Sequence, residues 1–319
     1  MRASRTRIVG VLAGCLADLA LGDPQRGHPV AVFGRAAAQL ERLTYRDTRL
    51  AGALHVSLAV GAVGLLGATV QRSAARSPLW STAATAAATW VALGGTSLTR
   101  TGREMAQLLD RGDVAAARRL LPSLCGRDPD RLDLAGLTRA ALESVAENTS
   151  DAQVAALLWA AAGGLPAVLV YRAINTLDAM IGHRSPRYRR FGWAAARLDD
   201  LANYAAARLT AVLVVLCAPL VRGSPVAAVQ AWQRDAARHP SPNAGVVEAA
   251  FAGALGVRLG GPTHYHHELQ IRPTLGDGCP PGAADLRRAV VLSRLVQLAA
   301  ALGVAATLGN GQRGQCRRP

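Results

Sequence analysis

The sequence predicts an all-α, polytopic membrane protein of about five or six membrane helices, and three observations carry that prediction. Residues 50–71, 77–99 and 152–170 contain no Arg, Asp or Glu. Each run is long enough to cross about 30 Å of hydrocarbon as a helix rising about 1.5 Å per residue. Half of the 319 residues are hydrophobic yet only 4% are aromatic, so the apolar mass is Ala, Leu, Val and Gly, small side chains that let helices approach closely in lipid. Finally, 36 basic residues against 21 acidic ones give a net charge of +15, and the basic residues punctuate every interval between apolar runs. There they can snorkel and attract anionic headgroups.

From the N-terminus, residues 8–22 are apolar but interrupted by Asp18. Arg2, Arg5 and Arg7 before Leu12-Ala13-Gly14-Cys15 resemble a lipoprotein signal. The apolar core is very short, however, and the helical pattern continues to Leu21, so an uncleaved first membrane helix is expected. After the clean runs 50–71 and 77–99, residues 100–151 form a polar stretch with helical periodicity at Met105, Leu108 and Leu109, then Leu134, Leu137 and Leu142. Residues 209–221 are short for a span unless their helix begins near Asp199. Residues 222–288 read as the longest hydrophilic loop, and 289–309 as a further membrane candidate containing Arg294. No internal repeat or low-complexity linker is visible, which predicts one integral-membrane domain over 1–319. Arg occurs in every loop, so the positive-inside rule leaves orientation open.

Composition also excludes chemistry. There is no lysine; all 36 basic residues are Arg. Walker-type, Schiff-base and catalytic lysines are therefore absent, and phosphates must be held by Arg, metal or backbone amides. A nucleic-acid binder would concentrate charge on a soluble face or interleave it with aromatics, and this chain does neither. The 5 cysteines are scattered without a C-x-x-C pair, so neither a disulfide framework nor a zinc site is indicated. Gly309-Asn310-Gly311-Gln312-Arg313-Gly314 fits G-x-G-x-x-G, but no strand precedes it and no helix comes after it.

Candidate chemistry gathers at the edges of the apolar runs. Glu143, Glu147 and Asp151 recur every fourth residue and would share a helix face beside Asn148. Crowded carboxylates repel unless neutralised, and they suit Mg²⁺, a hard cation that commonly bridges nucleotide phosphates. The plainer alternative is a solvated helix face. Beyond 152–170, Arg172, Asn175 and Asp178 share a face, succeeded by the anion-binding run His183 to Arg190 and by Arg197, Asp199, Asp200, Asn203 and Arg208. For Arg197 and Asp200 the plainer reading is an i, i+3 ion pair. Asp18 inside an apolar helix, with Asp23, His28-Pro29 and Arg35 nearby in sequence, suggests a site at the membrane surface. Gly163-Gly164-Leu165-Pro166 interrupts the run that separates Asp151 from Arg172. A break there would turn a spanning helix into a hairpin and serve a single site.

These residues together resemble the adenosylcobinamide-phosphate synthase (CobD/CbiB) family of cobalamin biosynthesis. The resemblance rests on Leu16-Ala17-Asp18 through Gly22-Asp23-Pro24 and His28-Pro29; on Glu143-Ser144-Val145-Ala146-Glu147-Asn148 with Ser150-Asp151; and on Tyr171-Arg172-Ala173 with Asn175-Thr176-Leu177-Asp178. It continues through Arg187-Tyr188, Phe191 to Asp200 and Asn203, then His239-Pro240-Ser241-Pro242-Asn243, Glu248-Ala249-Ala250 and Gly276-Asp277-Gly278. The three histidines His264, His266 and His267 depart from the pattern, and no metal is expected at them.

The resemblance implies a multi-pass enzyme of the bacterial cell membrane. It would join (R)-1-aminopropan-2-ol or its O-phosphate to a propionate carboxylate of adenosylcobyric acid, consuming ATP with Mg²⁺. Its partners would be the corrinoid, the amine, membrane lipid and other enzymes of the pathway, and not nucleic acid. The roles implied are Mg²⁺-nucleotide binding at Glu143, Glu147 and Asp151, and phosphate or carboxylate binding at Arg172, Arg187 and Arg197. Asp178 or Asp200 would be the base. Asn148, Asn175, Asn203 and Asn243 would orient substrates, with Asp18, Asp23, His28, His239 and Glu248 as further substrate contacts. A transporter with Asp18, Asp178 and Asp200 along an ion path is the rival.

Overall fold

The computed structural model describes residues 2–23, 27–183, 185–264 and 269–313. The chain is predominantly helical and divides into two compact units, each assembled from separated stretches. Among the described residues, four helical stretches are long and apolar enough to cross a membrane: Arg49–Ala74, Leu134–Ile181, Trp193–Val221 and Ala283–Thr307. The protein is thus an all-α, polytopic membrane protein.

The first unit comprises Met1–Gly94, Ala155–Asn203 and Ala300–Pro319. Helix α1 (Arg2–Leu21) packs on α4 (Pro78–Ala92) through a G-x-x-x-G pair. A Cβ on Gly10 would lie 2.8 Å from Thr85 Cβ, and one on Gly14 2.5 Å from Ala86 O, so only glycine permits this approach. The run 77–99 does not form one span. Its helix stops at Ala92, and α5 (Gly95–Asp110) begins anew after two residues. Helix α2 (Pro29–Thr44) starts where His28 Nδ1 accepts from Val30 N at 3.1 Å and Pro29 presets the first turn. Helix α3 (Arg49–Ala74) starts at the Thr48 cap, whose hydroxyl accepts from Ala51 N at 3.2 Å. Phe191, Leu177, Ile181, Val56 and Ala59 form the core between these elements.

Helix α8 (Ala155–Ile181) is broken as expected from its glycines. Gly164 has φ 70° and ψ −152°, a conformation open to glycine but not to a helical residue. The rings of Trp159 and Tyr171 stack with centroids 6.4 Å apart. Twelve residues along a straight helix would separate them by about 18 Å, so the chain turns back on itself. Trp159 Nε1 donates to Ala202 O at 3.0 Å, and Tyr171 OH to Asn203 Oδ1 at 2.8 Å. Both limbs of the hairpin therefore meet one short stretch of α9 (Trp193–Cys217).

The second unit comprises Gly95–Val154 and Tyr204–Ala299. Its helices are α5, α6 (Val114–Leu120), α7 (Leu134–Thr149), α10 (Pro225–Asp235), α11 (Ala244–Leu255) and most of α12 (Ala283–Arg313). The stretch 222–288, expected as a loop, is structured. All 12 residues of α11 are buried, and an antiparallel hairpin pairs β1 (Leu259–His264) with β2 (Leu269–Leu275). Gly253 lets α11 meet α10 closely: a Cβ there would fall 2.2 Å from Ala227 O. Arg294 within apolar α12 is satisfied by Gln297 Oε1 at 2.8 Å, Thr99 at 2.8 Å and Thr96 at 3.1 Å. Thr149 and Gln153 donate to Ser293 Oγ at 2.7 and 3.0 Å. These polar groups in apolar helices are thus hydrogen-bonded internally, as burial demands.

Candidate functional site

In the second unit, Asp133 accepts from Gly136 N at 2.8 Å and caps α7, which carries Glu143 and Glu147 one turn apart. Glu143 is buried and fully engaged. Arg127 donates to Oε2, Gly260 N to Oε1 at 2.7 Å, and Arg139 Nε lies 4.0 Å away. Glu143 therefore ties α7 to strand β1, and it is not free to ligate a metal. After Glu147 the helix changes character, because Ser150–Val154 form a π-turn. Among the described residues no group of three or more His, Cys, Asp or Glu could hold a metal ion. The expected three-carboxylate Mg²⁺ site at Glu143, Glu147 and Asp151 is therefore not present as three free ligands, because Arg127 and the Gly260 amide occupy its first member. Glu147 itself is half-buried, with no hydrogen bond or ion pair among the described residues, while Asn148 Nδ2 bonds back to Ser144 O at 3.0 Å.

Glu248 on α11 is 1% exposed, and neither of its carboxylate oxygens accepts a hydrogen bond. Its cationic neighbour, Arg272 Nη1 on β2, stands 3.7 Å from Oε1. Arg272 pairs across the hairpin with Gly261, the residue after the amide that Glu143 holds. The two glutamates therefore meet neighbouring positions of one hairpin. His239 Nε2 lies 3.5 Å from the same Arg272 Nη1, and burial, reinforced by that cation, pushes its pKa down to about 4. Its Nδ1 accepts from Ser241 N at 3.1 Å. Asn243 Oδ1 accepts from Arg208 Nη1 at 2.9 Å, and that guanidinium stacks 3.6 Å over the Tyr204 ring. The Gly276-Asp277-Gly278 motif is a latch: Gly276 N donates to Asp235 Oδ2 at 2.9 Å, and Arg234 bridges Asp235 and Asp277.

The first unit gathers a second polar set. Arg172 Nη1 donates to Asn175 Oδ1 at 3.2 Å, and Asn175 Nδ2 donates to Asp199 Oδ1 at 3.2 Å. Arg172 Nε is buried without a hydrogen-bond partner, as are Asp23 Oδ1 and Asn203 Nδ2. His28 senses the charges of Asp23 and Arg172, while burial is the main cause that lowers its pKa. Asp23, His28, Arg172, Asn175 and Asp199 thus form one neighbourhood. Asp18 is fully buried on α1, and Pro24 lies outside the described residues.

Other expected residues are committed elsewhere. Arg187 does not present a free fork. It donates from Nη2 and Nε to Glu41 Oε1 at 2.8 and 3.3 Å and sits 4.2 Å over the Tyr45 ring, while Tyr188 OH shares Glu41 at 3.0 Å. Arg197 pairs with Asp200 at 3.5 Å, and its side chain is 66% exposed. The Asp178 carboxylate lies so close under Gly182 that a Cβ there would fall 1.8 Å from Oδ1. Sequence reasoning missed Glu41, Arg127, Arg139 and Arg272. Arg139 stands four residues before Glu143, a spacing the sequence offered, whereas the partners of Glu41, Arg127 and Arg272 lie on other elements and only the fold reveals them. His266 and His267 lie outside the described residues, as does the side chain of His264.

A family model described as CobD/Cbib protein matches residues 11–293. A protein of Mycobacterium tuberculosis (strain ATCC 25618 / H37Rv) named Cobalamin biosynthesis protein CobD is 76% identical over 298 residues, covering 93% of this chain and 95% of the relative. Proteins of the same name from Geobacter metallireducens and Stutzerimonas stutzeri are 42% and 43% identical. They cover 88% and 89% of this chain and 90% and 92% of their own lengths. No solved structure matches.

Proposed function

The chain belongs to the CobD/CbiB family of cobalamin-biosynthesis proteins, and from that membership we propose that it is an ATP-dependent acid–amine ligase of the bacterial cell membrane. Its substrates are the propionate carboxylate of adenosylcobyric acid and (R)-1-aminopropan-2-ol or its O-phosphate. Its product is adenosylcobinamide or adenosylcobinamide phosphate. The observation that supports the reading most strongly is that the family match spans both sets of charged residues with unused hydrogen-bonding capacity.

A carboxylate resists attack because oxide would have to leave. Phosphorylation by ATP replaces that leaving group with phosphate, and the acyl phosphate then accepts an amine. Arg172 supplies a fixed cationic donor for a carboxylate or phosphate oxygen through its unused Nε, and Asn175, clamped by Arg172 and Asp199, orients the same group. His28 and Asn203 Nδ2 add donors. Mg²⁺ would accompany the nucleotide, but Glu143, Glu147 and Asp151 do not fit it as a set, and no step is routed through a protein-held ion.

The test is turnover by the full chain reconstituted in lipid nanodiscs. ATP consumption should depend on both adenosylcobyric acid and the amine, and mass spectrometry should show the amide. ATP turnover independent of the amine, or solute flux in liposomes without amide product, would refute the ligase reading in favour of transport.

A further inference from the structure

An aliphatic amine is protonated near neutral pH, so its lone pair is unavailable until a base removes a proton. Among the described residues of the second unit, Glu147 and Glu248 are buried or half-buried carboxylates with unused acceptors. Glu248 is buried on α11, a helix of 12 residues and so only about 18 Å long. An ionised carboxylate accepts several hydrogen bonds, yet neither oxygen here accepts one. Leaving such acceptors buried and unmet is unfavourable. Arg272 Nη1, at 3.7 Å, stands beyond hydrogen-bond range. Glu147 on the neighbouring α7 also has no partner among the described residues, and it is half-buried where Glu143 and Glu248 are fully buried. Burial, reinforced by the charges of Glu143 and Glu147, pushes the Glu248 carboxyl well above the usual carboxylate range. Arg127 and Arg272 oppose that push. Arg272 supplies charge but no hydrogen bond to Glu248, and an alkylammonium brings charge together with three N–H donors.

We propose that Glu147 and Glu248 form the subsite for the ammonium group of the amine substrate, and that Glu248 is the base that accepts its proton. The assignment rests on the amide-forming reading for its chemistry, and on the unmet carboxylates for its place. The ammonium N–H gives its proton to a Glu248 oxygen, and the freed lone pair bonds to the acyl carbon. The C–O bond to phosphate breaks with its electron pair leaving on phosphate. The remaining excess proton on nitrogen passes to the released phosphate. Glu143 takes no part, because Arg127 and Gly260 hold its oxygens.

The experiment uses the full chain in nanodiscs. Calorimetric titration with 1-aminopropan-2-ol alone, against propane-1,2-diol as a control without the ammonium, should show binding of the amine only. Glu147→Gln and Glu248→Gln should each weaken it at least tenfold. Turnover then separates base from scaffold. Hydroxylamine, whose nitrogen is uncharged at neutral pH, traps the activated carboxylate as a hydroxamate without a base. Glu248→Gln should lower amide formation at least a hundredfold while hydroxamate formation stays within threefold of the parent.

Equal binding of amine and diol, undiminished amine binding in both variants, or equal loss of amide and hydroxamate in folded Glu248→Gln protein would overturn the proposal. If Glu248→Gln fails to fold, the half-buried Glu147→Gln variant decides the binding question. Amine binding without any ATP-dependent product would leave the subsite standing and remove the ligase reading instead.

Discussion

Glu143 in the middle of α7 and Glu248 in the middle of α11 are both buried, both acidic and both close to an arginine, yet they are used in opposite ways. Glu143 accepts from Arg127 and from the Gly260 amide, so its charge is consumed in tying a helix to a strand. Glu248 accepts nothing, although Arg272 stands 3.7 Å away. Arg187 and Arg172 repeat the contrast in the first unit. Arg187 closes on Glu41 from two nitrogens, while Arg172 keeps its Nε without a partner. Residue type and spacing cannot separate these cases. What distinguishes a structural charge from one available for chemistry is whether its hydrogen-bonding capacity is already spent.

The largest effect that could break this contrast is on stability. Glu143→Gln leaves Arg127, 6% exposed, as a buried cation without its counter-ion. We expect a loss of about 3–5 kcal/mol, read as the melting temperature in detergent. Glu248→Gln replaces a carboxyl that makes no hydrogen bond with a neutral isostere, and should leave the melting temperature unchanged or raise it. The reverse order would remove the distinction between the two.

His239 sharpens the contrast, because it shares Arg272 with Glu248. Its folded pKa of about 4 lies below the ordinary 6.5, so between those values the unfolded chain binds the extra proton. Stability from this group is full above pH 6.5 and is lost as pH falls towards 4, by up to about 3 kcal/mol. The difference between the pH series of melting temperatures for the parent and for His239→Gln should show this slope, because the raised Glu248 carboxyl contributes with the opposite sign over the same range in both proteins. Asp235, held low chiefly by Arg234, adds its loss only below the ordinary carboxylate pKa of 3.8 and so falls outside that window.

The arginines should give smaller effects. Arg187→Lys loses the two-nitrogen grip on Glu41 and should lower the melting temperature while leaving substrate affinity intact. Arg172→Lys should do the opposite, weakening apparent affinity for the carboxylate substrate about tenfold with little change in melting. Arg197→Lys, in an exposed i, i+3 pair, should alter stability by less than about 0.5 kcal/mol. A large kinetic defect there would show a substrate contact that the ion pair conceals.

The membrane-helical class and the hairpin break were legible because both are local. A charge-free run gave α3, and two glycines before a proline gave the turn at Gly164. The run at 77–99 misled because absence of charge says nothing about a chain break. Leu93 and Gly94 end α4 without any polar residue. The β-hairpin and α11 were hidden inside a polar stretch, since a buried Ala-rich helix of 12 residues is too short to register as a membrane run. The contact of Arg172 with Asn175 was legible from their shared helix face. The pairings of Glu143 with Arg127 and of Arg187 with Glu41 join residues 16 and 146 positions apart. No periodic pattern encodes such contacts.

Helix α11 carries a consequence for how the second unit opens. An isolated helix of this length is not stable in water, and α11 has no exposed face on which to persist when its neighbours withdraw. Its amide protons can therefore reach solvent only through an opening that dismantles the surrounding unit, not through fraying of a single helix. In hydrogen exchange, Val246 to Leu255 should exchange at one common free energy, and that value reports the global stability of the unit. The amides of α11 thus serve as an internal gauge, on which the loss caused by Glu143→Gln should appear in full.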